Sequence, residues 1–367
     1  MKVKAAVASP DGSPFHIADV ELDAPRADEV LVRMAAVGLC HTDIFAQQDG
    51  YRFGRPGVFG HEGAGVVQAV GREVTTVRPG DRVALSFRSC GACAKCAAGH
   101  PAHCGEIRQL NFAGARPDGS STLRLDGAAL ASNFFGQSSF ATHALTYVRN
   151  VIPIGPDVPF AVAAPLGCSV QTGVGGVLNI LKPERGSALL VTGCGPVGLS
   201  AVIGGVIAGC APIVVVEPHA SRRALALDLG ATHAIDPTTT PDLAAAVREI
   251  LPHGVDRAFD TTGQEAVLGA ALRAMASGGV LGFAGIAPRG TRLPADLNII
   301  MGRGLRVCGI YLGDADPAHF LPMLLEHHRA GRLPIDRMIR TYPFERINDA
   351  IADQHAGRTA KAVLTFS

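Results

Sequence analysis

Chemistry in this chain concentrates where thiols, imidazoles and carboxylates crowd into short runs. Gly38-Leu39-Cys40-His41-Thr42-Asp43 puts a thiol, an imidazole, a hydroxyl and a carboxylate within four consecutive residues. Two later segments, Gly60-His61-Glu62 and Pro165-Leu166-Gly167-Cys168, add a second imidazole and a second thiol. Cys40, His61 and Cys168 together are the ligand set of an open catalytic zinc site, whose fourth position is left for water or substrate. Each residue alone reads more simply, as a small buried Cys or a satisfied His. Spacing does not bring sequence-distant residues together, so the set gains meaning only from its company.

That company is two further motifs. Cys90-Gly91-Ala92-Cys93-Ala94-Lys95-Cys96, with Cys104 eight residues on, supplies four thiolates close enough to fill a tetrahedral zinc shell unaided. A redox C-x-x-C pair would leave two of the four unexplained, and the fourth does not follow ferredoxin spacing. Structural zinc is therefore the reading, with His100 and His103 as bystanders. Further on, Gly193-Cys194-Gly195-Pro196-Val197-Gly198 is G-x-G-x-x-G after an apolar run and before a helical one. Glycines there allow a tight turn and let a helix N-terminus approach a pyrophosphate. Glu217 closes the next strand, where a carboxylate holds the adenosine ribose hydroxyls and repels a 2′-phosphate. This favours NAD over NADP, although Arg222 and Arg223 lie close enough to offset part of the repulsion.

The elements that must position these groups change character along the chain. Up to Cys168, short apolar runs such as Glu29 to Met34, Gly65 to Gly71 and Asp81 to Leu85, bounded by Gly, Pro and Asp, predict a small antiparallel β-barrel-like unit. Residues 111 to 140 read as loop, with Phe134 and Phe135 as either core filler or pocket wall. After Cys168, strands over 188–192, 213–217, 233–236, 257–261, 279–284 and 305–311 alternate with helices over 196–208, 221–229, 242–250 and 264–275. Six strands in that rhythm predict a doubly wound parallel sheet. A helix over 320–329 and a strand over 360–366 close the chain and are expected to rejoin the first domain.

Composition removes several function classes. With 367 residues, 47% hydrophobic and 18% charged, the chain has length for two domains and a substantial core. A net charge of +1 gives no reason to expect nucleic acid or a membrane surface as partner. Pro10-Asp11-Gly12 arrives too early for a secretory apolar core, so a cytoplasmic protein is expected, its nine Cys present as thiols or metal ligands. The charge-free run from Ser187 to Val216 is broken by Gly193, Gly195, Pro196 and Pro212, which predicts three short elements and not one spanning helix.

With both cysteine sets, Gly60-His61-Glu62 and the glycine-rich turn in this order, the chain resembles the zinc-dependent alcohol dehydrogenases of the medium-chain dehydrogenase/reductase superfamily over essentially its whole length. Asn111-Phe112-Ala113-Gly114, Phe134 to Ala141 and Pro165 to Cys168 look closest to the aryl (benzyl) alcohol dehydrogenase branch. The resemblance implies a GroES-like β-rich catalytic domain over 1–169, with 312–367 returning to it, and a Rossmann cofactor domain over 170–311. It implies two zinc ions per chain, NAD, a small alcohol or aldehyde substrate, and a homo-oligomer formed through the sheet edge of the cofactor domain. Residue by residue, it makes Cys40, His61 and Cys168 the catalytic zinc ligands and Glu62 a carboxylate able to enter their shell. Thr42 becomes the acceptor of the alcohol proton and Asp43 the partner that orients His61. His41 and Lys361 match cationic positions near the cofactor pyrophosphate, and Thr172 and Val197 match positions on the nicotinamide side. Phe45 departs from the pattern, since many relatives carry a relay His there, and Ser169 stands where Gly is common. A primary aromatic or allylic/terpenoid alcohol is the expected substrate, with Phe134, Phe135 and Tyr311 as candidate walls. The alternatives are a glutathione-dependent formaldehyde dehydrogenase, a zinc-ribbon binding module on a nucleotide-sensing domain, and a non-catalytic relative.

Overall fold

The structure is a computed structural model that describes residues 1–50 and 55–367. The chain divides into two compact units, one of Met1–Cys168, Asp316–Glu326 and Ile335–Ser367, the other of Ser169–Ala315 and His327–Pro334.

The first unit is built around the strand Glu29–Gly38, buried along most of its ten residues. It pairs antiparallel with Gly63–Val70, His143–Tyr147 and Lys361–Thr365. Two register shifts against Gly63–Val70 bend the pair, as bulges do in small barrels. Val30, Val32, Met34, Val67, Val83 and Leu85 form the core beneath this sheet of seven strands. The unit is not wholly antiparallel, however. Lys361–Thr365 runs parallel to Ile339–Pro343, because the helix Ile347–His355 between them provides the crossover that a parallel pair requires.

A second sheet, of five strands, includes the hairpin Lys2–Ala8 and His16–Leu22, a pairing that the sequence reading left unassigned. Residues 111 to 140 are also more ordered than expected. They include the end of the helix Ile107–Phe112 and the short strands Leu123–Leu125 and Ala128–Ala129, which are too brief to show a period. Arg116, 1% exposed, sits here between Glu29 (2.6 Å) and Asp23 (2.7 Å).

The second unit is a six-stranded parallel sheet. In spatial order its strands are His233–Ile235, Ile213–Val216, Leu189–Thr192, Val255–Asp260, Met275–Phe283 and Arg306–Gly309. The first strand in the chain lies inside and the order reverses beside it, which is the doubly wound arrangement. The charge-free run resolves into strand, helix Pro196–Ala208 and strand. Among the described residues no single helix is long and apolar enough to cross a membrane.

Candidate functional site

Cys40 stands at the N-cap of the helix His41–Phe45, with extended backbone (φ −116°, ψ 152°). Three residues on, Asp43 turns back so that one carboxylate oxygen accepts the Cys40 N–H (3.1 Å), closing the first turn. Its other oxygen accepts the Gly60 N–H (3.0 Å) and faces His61 Nδ1 at 2.8 Å. One fully buried carboxylate thus ties the helix start to the Gly60-His61-Glu62 turn. Nδ1 bonded to a carboxylate leaves Nε2 to face inward, and Nε2 lies 3.2 Å from Cys168 Sγ. The donor atoms of Cys40, His61, Glu62 and Cys168 all lie within 4.8 Å of one another. Thr42 Oγ1 is 3.5 Å from Cys40 Sγ.

Electrostatics polarise this cluster. The Cys168 thiol donates to Cys40 and holds its thiol well below the ordinary value, against the effect of burial. The same contact, with burial, pushes Cys168 up. Burial opposes a charge on His61, yet Asp43 and Cys40 raise its pKa to about 10. A dication entering the cluster displaces such protons. Two sulfurs and one imidazole nitrogen that converge fit zinc well.

Glu62 joins the site through a buried ion pair. Its carboxylate meets Lys361 Nζ at 2.5 Å, both side chains being fully buried, and Lys361 also donates to the Leu39 carbonyl at 2.8 Å. Burial works against the Lys361 charge, but Glu62 and Cys40 raise its pKa above the ordinary lysine value. Gly38 makes the pairing possible, since a Cβ there would stand 2.0 Å from Glu62 Oε2.

His61 is walled by aromatic rings. Phe135 stacks on its face, with centroids 4.3 Å apart and planes at 20°, and Phe134 meets it edge-on at 5.7 Å. Both phenylalanines are buried. Sequence reasoning left their role open between core and pocket, and no residue type nearby announces that Phe135 adopts left-handed backbone.

The four-cysteine segment gathers its sulfurs as its spacing predicts. Cys90, Cys93, Cys96 and Cys104 all lie within 4.8 Å of one another, and Cys90 Sγ to Cys96 Sγ is 3.9 Å. A tetrahedral zinc with bonds near 2.3 Å sets its sulfurs about 3.8 Å apart. Backbone N–H groups of Cys93, Gly105 and Glu106 point at Cys90, Cys93 and Cys104 respectively. The Gly105 N–H first, then that of Cys96, lowers the Cys93 thiol to about 6.

In the second unit the strand Leu189–Thr192 runs into the glycine turn and the helix Pro196–Ala208. A Cβ on Gly198 would lie 1.8 Å from the Gly193 carbonyl, so helix and turn pack at a distance only glycine allows. At Gly195 nothing stands within 4 Å of the added atom, leaving the helix N-terminus open for a phosphate. Glu217 supports this cradle, accepting the Cys194 N–H (2.7 Å) and the His219 N–H (3.0 Å). Arg223 is engaged elsewhere. It pairs with Asp236 at 2.9 Å and donates to the Glu217 and Pro218 carbonyls at 2.8 Å each. Arg222 is half-buried beside it on the helix Ala220–Asp228. Thr172, buried, lies on the helix Ser169–Gly175, and Val197 is the second residue of Pro196–Ala208. His41 is exposed in the first unit, and Tyr311 is 37% exposed in the second.

Comparison with known proteins agrees with this chemistry. Residues 26–156 match the alcohol dehydrogenase GroES-like domain, and residues 196–326 the zinc-binding dehydrogenase family. Geraniol dehydrogenase of Castellaniella defragrans is 44% identical over all of this chain and 98% of that protein. S-(hydroxymethyl)glutathione dehydrogenase of Komagataella pastoris is 34% identical, over all of this chain and 98% of its own. The crystal structure of benzyl alcohol dehydrogenase from Acinetobacter calcoaceticus superposes with a TM-score of 0.96 at 37% identity, covering both chains completely.

Proposed function

Because the chain belongs to the zinc-dependent alcohol dehydrogenases of the medium-chain dehydrogenase/reductase superfamily, we propose that it interconverts a primary allylic or aromatic alcohol with its aldehyde, using NAD(H). The substrate class rests on the full-length likeness to a geraniol dehydrogenase, and the benzyl alcohol dehydrogenase fold points the same way. Zinc among Cys40, His61 and Cys168 supplies a Lewis acid that lowers the pKa of the alcohol, and NAD supplies the hydride acceptor. The chain's own residues do the placing. Asp43 fixes the His61 ring and Thr42 takes the alcohol proton, while Lys361, expected near the cofactor pyrophosphate, is instead fully buried against Glu62 and the Leu39 carbonyl and holds that carboxylate beside the cluster. Phe45 carries no titratable group and so takes no part in passing that proton on from Thr42; bound NAD would offer a ribose hydroxyl, beside water, as the next acceptor. Glu217 would hold the ribose and disfavour a 2′-phosphate, the helix N-terminus at Gly195 would take the pyrophosphate, and Thr172 and Val197 would pack beside the nicotinamide, while His41 is the cation that the family resemblance assigns to the pyrophosphate.

On this reading the catalytic domain is 1–169 with 312–367 and the cofactor domain 170–311, apart from Ser169, 312–315 and 327–334, which pack with the second compact unit, and the protein is cytoplasmic. The strand Arg306–Gly309 is a sheet edge, and Leu297 and Met301 on the helix before it are 78% and 75% exposed. A homo-oligomer formed there covers both features, and sedimentation of a monomeric mass would refute it.

The test is an NAD-coupled screen of geraniol, benzyl alcohol, short aliphatic alcohols and S-(hydroxymethyl)glutathione. Turnover of the first two supports the reading. Turnover of the last alone replaces it with the glutathione-dependent activity named in the relative at 34% identity.

A further inference from the structure

We propose that Phe135 is a positioning residue for the metal ligand His61, its ring fixing the plane in which Nε2 faces the cluster. The proposal rests on the zinc reading of Cys40, His61 and Cys168. A histidine ring turns about a broad, roughly two-fold torsion. The Asp43 contact at Nδ1 pins one ring atom but leaves tilt about that point. A second ring 4.3 Å away and within 20° of parallel opposes that tilt, because turning the imidazole out of its plane drives it into the phenyl face.

The backbone supports the same conclusion. Asn133, Phe135 and Ser138 have φ of 63°, 52° and 53°, so three non-glycine residues within six are left-handed. Asn tolerates that region, whereas a bulky aromatic is a genuine outlier. Such a conformation persists only where its surroundings over-determine it. Here they do. Asn150 Nδ2 donates to the Phe135 carbonyl (2.9 Å), and Ser138 Oγ donates to the Val58 carbonyl (2.7 Å). Gln137 Nε2 donates to the carbonyls of His61 (2.9 Å) and Ser86 (3.0 Å), tying the loop to the ligand it serves. Filling core volume requires no left-handed phenylalanine. Laying a ring flat on His61 from this loop does.

The experiment compares wild-type holoenzyme with Phe135→Leu, Phe135→Ala and Phe15→Ala. Phe15 is a buried ring in the same aromatic chain, edge-on to Phe59 and Phe140. Zinc transfer to a colorimetric chelator is followed in time, with the four-cysteine site as a slow internal reference for intact fold. In parallel, Co²⁺ replaces the catalytic-site zinc, and its visible ligand-field bands report geometry at the ion. Stacked aromatic pairs support an acceleration of about three- to tenfold. Both Phe135 variants should release catalytic-site zinc faster by that factor, with shifted cobalt bands, while Phe15→Ala keeps the wild-type rate and spectrum. Phe135→Leu retains apolar volume without a ring face, so it separates stacking from packing. Wild-type release and spectrum in Phe135→Leu, or an equal change in Phe15→Ala, would overturn the proposal. A wild-type chain carrying one zinc would refute the metal reading first, and this inference with it.

Discussion

Replacing Lys361 with Met leaves the Glu62 carboxylate buried without its ammonium partner while keeping side-chain length and adding no polar atom. Both members of the pair are fully buried at 2.5 Å, and removing one partner of such a pair typically costs about 3–5 kcal/mol. A ceiling follows from the acid itself. Burial already raises Glu62 above its ordinary 4.5, and Lys361 is the chief group holding it down. Once stranded, the carboxyl protonates in the folded state, and at pH 7 that costs about 3.4 kcal/mol relative to an unfolded value of 4.5, at 1.36 kcal/mol per pH unit. The sign with pH is fixed, because a folded-state pKa above the unfolded one binds extra protons in the native state. The penalty must therefore shrink as pH falls, by at most about 2.7 kcal/mol between pH 7 and pH 5, and it levels off once pH drops below the raised wild-type value. Urea unfolding of wild type and Lys361→Met at both pH values, each variant compared with wild type at the same pH, gives the two differences. Adding Glu62→Gln to Lys361→Met removes the titrating group and should recover most of the loss at pH 7. A penalty below about 1 kcal/mol at pH 7, the level of an exposed pair, or one that does not shrink at pH 5, would refute the reasoning.

Three further outcomes follow from separate contacts. Cys93→Ser should lower the zinc content from two ions per chain to one by elemental analysis, and should lower the melting temperature, because structural zinc binding is folding free energy. Asp236→Ala releases Arg223 from its 2.9 Å pair. It should strengthen binding of NADP relative to NAD by roughly three- to tenfold in equilibrium titration, and an unchanged ratio would show that Arg223 is set by its backbone contacts alone. Burial raises Asp23, but Arg116 and Arg124 outweigh it and hold the carboxyl below 3.8. A depressed folded pKa gives stability that is full above the unfolded value and lost as pH falls through the folded one. The stability gap between wild type and Asp23→Asn should thus be constant above about pH 5 and narrow below about pH 4.

Features carried by local spacing were legible in sequence. Cys90, Cys93 and Cys96 approach one another because the chain between them is too short to keep them apart, and Pro196 after Gly195 suits a helix start, where its missing N–H would go unpaired anyway. Alternating strands and helices after Cys168 set the parallel sheet by the same local logic. Three features were not legible, each for a physical reason. Left-handed backbone at Phe135 contradicts its residue type and exists only through Asn150 and Gln137, which are distant or non-specific signals in one dimension. Arg222 and Arg223 look alike in sequence, but the 2.9 Å pair that occupies Arg223 comes from Asp236, beyond the following strand. Arg116 reads as an ordinary loop arginine, and its burial between Glu29 and Asp23 joins residues more than 80 positions apart.

The ammonium that balances Glu62 arrives on the strand Lys361–Thr365, 322 positions after the Leu39 carbonyl it also caps. A ribosome adding about 5–20 residues per second needs some tens of seconds to cover that distance. Cys40, His61, Glu62 and Cys168 are all synthesised well before it. Until then the buried Glu62 carboxylate lacks the ammonium that it pairs with in the folded chain. A chain that stops short of Lys361 therefore carries every donor of the cluster yet lacks both the counter-charge of Glu62 and one antiparallel neighbour of Glu29–Gly38.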